Sequence, residues 1–349
     1  MSPQNIIKKI KDSGLRGRGG AEFPTGLKWE MVKKALAKKK YIICNGSEGE
    51  PGTFKDGFIL HNYPEELIKG IEIALKTIDH SSAYIYLRKD YYQKFKESLD
   101  KIIKVNNLSI KIFKKQGGYL CGEETTLIQT LEGKDPIPQA RPPYPPEKGL
   151  WGCPTLVNNV ETFYYIAQII QNKYKKTRFY SLSGVKSPGV YELSEKLSVR
   201  QVLKKTNNLP NFNFFVQAGG GASGRILLSK ELNQKVGGVG TIFVYNLKKT
   251  NPNFLMKKWI DFFFKENCGK CVPCREGVYR VRQILSKKKV YPVKCRKAAI
   301  SPKAKLFNRV NQKTLMDLLF VLDQTSFCPF GKNVALPFIT LIKKVIKFK

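Results

Sequence analysis

Apolar positions along this chain fall first into short runs and later into helical stripes. Residues 41–44, 83–87 and 110–113 are short apolar runs ended by turn-forming loops, the pattern of strands. Between them, residues 64–78 open on a proline and place Leu67, Ile71, Ile73 and Leu75 at helical spacing, and residues 91–103 follow the same rule. A third helix is expected over residues 122–131. Strands alternating with helices predict a largely parallel α/β sheet whose strand ends carry the ligand loops. Residues 136–146 are too rich in proline for regular structure and predict an extended strap. Short β-like runs then appear at 189–193, 214–217 and 241–245, with a small helix over 199–205. Gly219, Gly220, Gly221 and Gly224 separate two of these runs, so this part reads as a compact α+β insert with antiparallel strands. Amphipathic stripes over 254–264, 276–285, 312–322 and 336–346 predict a small helical bundle. No internal repeat is visible.

Length and composition fit a globular chain of two or three domains, with 349 residues of which 42% are hydrophobic. Charge changes the picture more. With 62 Lys+Arg against 27 Asp+Glu the formal charge is +35, a field that attracts nucleic acid, anionic lipid or anionic cofactors. Only His61 and His80 are histidines, which argues against histidine metal sites and Ser/His/Asp hydrolysis. No apolar run reaches the roughly 18 residues of a membrane span, and residues 1–11 lack the apolar stretch of a secretory signal, so the chain is expected to be soluble. Eight cysteines without such a signal point to a reducing compartment and to thiols available for metal.

The sharpest chemical signal is Cys268-Gly-Lys-Cys271-Val-Pro-Cys274. Three cysteines at successive spacings of three can turn their sulfurs to one centre, the usual way of holding three irons of a [4Fe-4S] cluster. Cys328, followed by Pro329 after 53 intervening residues, is the candidate fourth ligand. Zinc is the rival metal, but it usually takes two separated cysteine pairs or histidines. Lys270 and Arg275 flank the ligands with positive charge. Four further segments carry polar chemistry. Residues 13–29 form a glycine-rich loop with Arg16, Gly17, Arg18, Gly19, Gly20, Phe23 and Lys28, which breaks the dinucleotide fingerprint at Glu22 and follows a helix rather than a strand. Alone, it is balanced between a nucleotide cradle and a structural turn. The loop after the first strand holds Asn45, Ser47, Glu48 and Glu50, residues 117–125 hold Tyr119, Gly122, Glu123 and Glu124, and residues 151–162 hold Asn158, Asn159 and Thr162. The last two also read as helix starts, near Glu123 and near Asn158.

Taken together and in this order, these segments resemble the NADH-oxidising flavoprotein subunit of respiratory complex I and the related diaphorase subunits of NAD-linked hydrogenases and formate dehydrogenases. The resemblance runs from about Ser13 to Ala335. It implies a Rossmann-like FMN-binding α/β domain over residues 1–175, a β-grasp domain over 176–250 and a helical bundle over 251–349 holding one [4Fe-4S] cluster on Cys268, Cys271, Cys274 and Cys328. In the family, FMN is surrounded by groups matching Gly17, Gly19, Lys28, Asn45, Glu48, Tyr119, Gly122, Glu123, Asn158, Asn159 and Thr162, and Arg18, Gly20 and Ser47 beside them are further candidate cofactor-binding residues. NADH stacks on the flavin beside groups matching Phe23, Glu50, Glu124 and Tyr144, with Arg141 where a lysine is common. The chain departs from the family at Glu22, in place of a glycine, at Ser47, in place of an aspartate, and at Met31, in place of an aromatic. A basic insertion over residues 287–305, containing Cys295, accounts for the distant fourth cysteine and is expected to loop out.

The implied activity is NADH:quinone oxidoreductase. NADH gives two electrons as hydride while an iron-sulfur centre takes one at a time, so a flavin stands between them and no general acid or base is required. The implied partners are a thioredoxin-like [2Fe-2S] subunit and a large iron-sulfur subunit. The implied location is the bacterial cytoplasm, peripheral to the inner membrane, or the mitochondrial matrix side of that membrane. A nucleic-acid-binding metalloprotein is the competing class, but the lysines are scattered through every segment rather than grouped with aromatics, so no nucleic-acid partner is expected. An inactive subunit that has lost its flavin is the third.

Overall fold

The structure is a computed structural model that describes residues 1–286 and 309–346. The basic insertion and Cys295 lie outside the described residues. Helix α1 (Pro3–Ser13) starts where the Ser2 hydroxyl accepts from the Asn5 amide and ends at Gly14 in the left-handed region, φ 72°. Helix α2 (Thr25–Lys34) carries Trp29 into the core. Next come β1 (Lys40–Gly46), α3 (Lys55–Asn62), α4 (Pro64–Thr77), β2 (Ser81–Leu87), α5 (Lys89–Val105) and β3 (Ile110–Lys114). A 3-10 turn (Tyr119–Gly122) leads into α6 (Glu124–Leu131), and β4 (Thr155–Asn159) into α7 (Val160–Ile170). The expected helix over 122–131 therefore begins two residues late, because Glu123 is its N-cap, with its carboxylate accepting from the amides of Thr125 and Thr126 at 3.0 Å each.

The four strands form a wholly parallel sheet in the order β3-β2-β1-β4. Strand β4 escaped the periodicity because a parallel strand buried on both faces shows no alternation. The chain winds outward from β1 through β2 to β3 and then returns to the other side of β1. That reversal puts the switch point at the carboxyl ends of β1 and β4, where Asn45 pairs in register with Asn159. One sheet face is sealed by α1, α4, α5 and α7. The helices α4 and α7 approach closely because Gly70 has no Cβ, which would collide with the Phe163 carbonyl oxygen.

The insert holds β5 (Thr177–Ser183), β6 (Gly189–Ser194), α8 (Val199–Lys205), β7 (Phe214–Ala218), β8 (Arg225–Leu228) and β9 (Thr241–Asn246), in the sheet order β6-β5-β9-β7-β8. The expectation of antiparallel strands is corrected at its centre, where β5 and β9 pair in parallel. The intervening strands and α8 make the long crossover that a parallel pair requires. Helices α9 (Pro252–Lys265), α10 (Val272–Leu285), α11 (Arg309–Thr325), α12 (Pro329–Lys332) and α13 (Ala335–Leu341) complete the chain, with one π turn over Ile342–Ile346. Helix α10 starts four residues before the stripe that signalled it, because Pro273 suits a first turn. The bundle also blunts the exposed edge of β8: the Ile226 amide donates to the Thr340 hydroxyl at 3.0 Å, and Lys344 Nζ donates to the Ile226 carbonyl at 2.9 Å. Among the described residues no helix is long and apolar enough to cross a membrane.

Candidate functional site

A cavity of about 620 Å³ opens at the switch point, within the range of small-molecule and cofactor sites. All three parts of the chain wall it. The α/β part gives the glycine-rich loop, the loop after β1, the turn before α6 and the end of β4. The insert gives Ala218, Gly219, Ser223, Gly224, Arg225 and residues of the loop from Lys235 to Val239, and the bundle gives Pro329, Phe330, Asn333 and Leu336.

Most of the residues expected from the sequence line this cavity: Gly17, Arg18, Gly19, Gly20, Phe23, Lys28, Asn45, Ser47, Glu48, Glu50, Tyr119, Gly122, Glu123, Glu124, Arg141, Asn158 and Asn159. Two do not. Thr162 lies fully buried behind the glycine loop, where its hydroxyl accepts from the Arg18 amide at 3.0 Å. Tyr144 is 47% exposed on the proline strap, which contributes Arg141 to the wall instead.

Several expected contacts are already spent on the protein. The Arg18 guanidinium bonds Glu195, the Tyr174 hydroxyl and the Thr177 carbonyl, and so ties the loop to β5. Arg16 donates from Nε to the Glu22 carbonyl at 2.7 Å. Glu50 is 7% exposed; its Oε1 accepts from the amides of Ala222 and Ser223 and its Oε2 from the Tyr119 hydroxyl at 2.6 Å. Ser47 donates its hydroxyl to Asn45 Oδ1 at 2.7 Å, and Asn45 Nδ2 donates to the Gly122 carbonyl at 2.9 Å. Lys28 pairs with Glu124 and donates to the Val157 carbonyl, and Arg141 pairs with Glu123 and, at 3.7 Å, Glu124.

Sequence reasoning missed the buried charges beneath the cavity. Lys55 lies 2.7 Å from Asp56, 3.0 Å from Glu161 and 3.0 Å from the Asn159 side chain, and both Lys55 and Asp56 line the cavity. Glu48 caps α3, accepting from the Asp56 amide at 3.0 Å and the Tyr91 hydroxyl at 2.6 Å. Burial, and then the Asp56 carboxylate, push its carboxyl up to about 7. A Lys-Asp pair just after a Gly-Thr-Phe turn was the available signal, and only the pairing of β1 with β4 makes it a site.

The glycine loop has the features of a phosphate cradle. The amides of Gly19 and Gly20 donate to no protein acceptor among the described residues, although both residues line the cavity. Free amides on a glycine loop beside an open volume suit a phosphate-bearing cofactor, so FMN fits the residues present. Glu22 stands at φ 52°, which explains why a glycine suits this position, and its carboxylate lies 3.7 Å from Arg178.

The four expected ligand cysteines belong to, or pack against, one apolar cluster of the bundle, and none forms a disulfide. Burial raises the Cys274 thiol to about 12, and the facing thiols of Cys271, Cys328 and Cys268 push in the same direction. Thiols crowded this way ionise only against a strong positive centre, which is what a cluster of irons supplies. Among the described residues no group of three or more His, Cys, Asp or Glu side chains is placed to hold a single metal ion. Cys271 is the N-cap of α10, and the amides of Gly331 and Phe330 point at Cys328 and pull its thiol down against the burial that raises it. Phe330, two residues past Cys328, lines the cavity and lies with its ring 5.9 Å from that of Tyr119.

Comparison with known proteins agrees with this geometry. Residues 10–168 match the family described as the Nuo51 FMN-binding domain, and residues 255–346 match the NADH-ubiquinone oxidoreductase-F iron-sulfur binding region. The chain is 38% identical to the NADH-quinone oxidoreductase F subunit of Aquifex aeolicus (strain VF5) over 82% of its length and 75% of the relative's. It is 34% identical to the NADH-quinone oxidoreductase F 2 subunit of Rhizobium meliloti (strain 1021), over 79% and 75%. A crystal structure of an NAD+-reducing [NiFe]-hydrogenase in the H2-reduced state superimposes with a TM-score of 0.88 at 31% identity, covering 99% of this chain and 62% of that one.

Proposed function

The chain belongs to the family of NADH-quinone oxidoreductase F subunits, with its FMN and [4Fe-4S] regions, and on that premise we propose that it takes hydride from NADH in the cavity at the switch point and passes electrons singly to the cysteine centre. FMN supplies the change from two-electron to one-electron chemistry, and the cluster supplies the one-electron acceptor. The chain's own residues position these groups. Gly19 and Gly20 offer amides to the flavin phosphate, while Asn45, Ser47, Asn158 and Asn159 line the wall beside them. Lys28, Glu123, Glu124 and Arg141 form a closed set of ion pairs that shapes the opposite wall without adding net charge. Cys268, Cys271, Cys274 and Cys328 hold the cluster.

One observation carries the reading: Pro329 and Phe330, directly after Cys328, form part of the cavity wall. The chain that carries Cys328 therefore runs directly into the cavity wall, and Phe330, whose ring lies 5.9 Å from that of Tyr119, stands on that wall.

Within the assembly, the acceptor partners are a thioredoxin-like [2Fe-2S] subunit and a large iron-sulfur subunit, on the bacterial cytoplasmic face or the mitochondrial matrix face of the inner membrane. A second reading, the diaphorase part of an NAD-linked hydrogenase, is favoured by the match to the hydrogenase chain across 99% of this one. Anaerobic purification of the full chain tests the shared core: one FMN and one cluster per chain with NADH:ferricyanide reductase activity is expected, and protein lacking flavin absorbance and NADH-dependent bleaching would sink it. The subunits that copurify separate the two assemblies.

A further inference from the structure

Four of the cations on the cavity wall are already neutralised: Arg18 by Glu195 and Glu161, Lys28 by Glu124, Lys55 by Asp56 and Glu161, and Arg141 by Glu123 and Glu124. Arg225 and Lys235 are not. Both line the cavity from the insert, both are exposed, and neither forms an ion pair among the described residues. Their positions are built into the insert's framework. Arg225 opens β8 opposite Ala218, and Lys235 bridges Ser198 at the start of α8. The Arg225 guanidinium donates to Gln234 Oε1 at 3.4 Å, and the Gln234 carbonyl accepts from the Val199 amide at 2.9 Å. Gln234 meets the Arg225 guanidinium with a neutral amide and precedes Lys235 in the chain, so it compensates neither charge.

From this pattern of pairing we infer that Arg225 and Lys235 bind the pyrophosphate of the pyridine dinucleotide at the cavity rim. The inference rests on the proposed NADH oxidation and adds a role for the insert within it. Two uncompensated cations on the insert's side of the cavity match the two negative charges of a diphosphate. The flavin phosphate is the other phosphate source, and two observations set it apart. The glycine loop already offers free amides for a permanently held group, whereas Arg225 and Lys235 face solvent, where a substrate that leaves at every turnover must first be met. Exposed cations also make this step sensitive to salt.

The test compares the full-length holoprotein with the double variant Arg225→Gln/Lys235→Gln and the charge-preserving Arg225→Lys/Lys235→Arg. Three readouts are taken: KM and kcat for NADH, the dissociation constant of ADP-ribose by calorimetry, and FMN content. The neutral variant is expected to raise the NADH KM and weaken ADP-ribose by about tenfold or more, with kcat and FMN content held and the salt dependence of KM flattened. Reduced nicotinamide mononucleotide, which lacks the pyrophosphate, should show the same KM in both proteins, and the charge-preserving variant should recover most of the affinity for ADP-ribose. Lys196→Gln, an exposed cation off the cavity, should change none of these. Unchanged ADP-ribose affinity in the neutral variant would overturn the inference, as would FMN lost in proportion to activity, which would assign the cations to the flavin phosphate. Wild-type protein that binds flavin but does not oxidise NADH would instead overturn the proposed function itself.

Discussion

Glu50 accepts two hydrogen bonds from Ser223, from its amide at 3.0 Å and its hydroxyl at 2.9 Å, although the two lie 173 positions apart in the chain. This contact joins the loop after β1 to the glycine loop of the insert. Gly220 must lack a Cβ to permit it, since one would run into the same carboxylate. The acid that the motif marks for the nucleotide therefore first fastens one wall of the cavity to another.

Replacing Glu50 by alanine leaves the buried amide of Ala222 and the partly buried amide of Ser223 without an acceptor, so Glu50→Ala is expected to lower stability by about 3 kcal/mol. The NADH KM should rise with it. Urea unfolding and steady-state kinetics check both; a stable variant with raised KM would place Glu50 on the nucleotide rather than in the framework.

Glu48 predicts a pH signature. Its carboxyl is raised from 4.5 to about 7, so between those values the folded chain holds a proton that the unfolded chain has released. Its contribution to stability is thus fullest in acid and falls as pH rises toward 7. Glu48→Gln removes that slope. Unfolding at several pH values from 5 to 8 should show the variant gaining on the wild type by up to about 3 kcal/mol as pH rises; parallel profiles would refute the shift.

Cys328→Ser is expected to remove or convert the iron-sulfur centre while FMN content stays at the wild-type level. The flavin wall contains no cysteine ligand, so the two cofactors separate cleanly in this variant. Iron assay and visible absorbance read the outcome. Unchanged iron would transfer the fourth-ligand role to Cys295.

Glu22→Gly relieves a left-handed backbone at φ 52° and removes the long, 3.7 Å ion pair that the partly exposed Glu22 makes to the buried Arg178. Stability is expected to rise by about 0.5–1 kcal/mol with flavin content unchanged. A loss of stability on urea unfolding would show that the Arg178 contact outweighs the strain.

The sequence by itself determined the order of parts, most element positions and the chemical signals. Helix α8 lies over the stripe that predicts it, and the cysteine spacing points to a [4Fe-4S] cluster because a local repeat already constrains where three sulfurs can turn. Other assignments needed the tertiary structure. Strand β4 became visible only beside β1, and β5, which no apolar run marked, became visible only in its parallel pairing with β9. Arg18 stands in the glycine-rich loop expected to bind the cofactor, yet its guanidinium reaches Glu195, 177 residues away. Lys55, Arg225 and Lys235 carried no motif at all. Periodicity and spacing report what neighbours along the chain can do together, whereas the partner of a charge is set by which distant segments the fold brings within a few ångströms. The +35 charge shows the same division: composition stated its size, but only the ion pairs around the cavity separated the neutralised cations from the two left free to meet an anion.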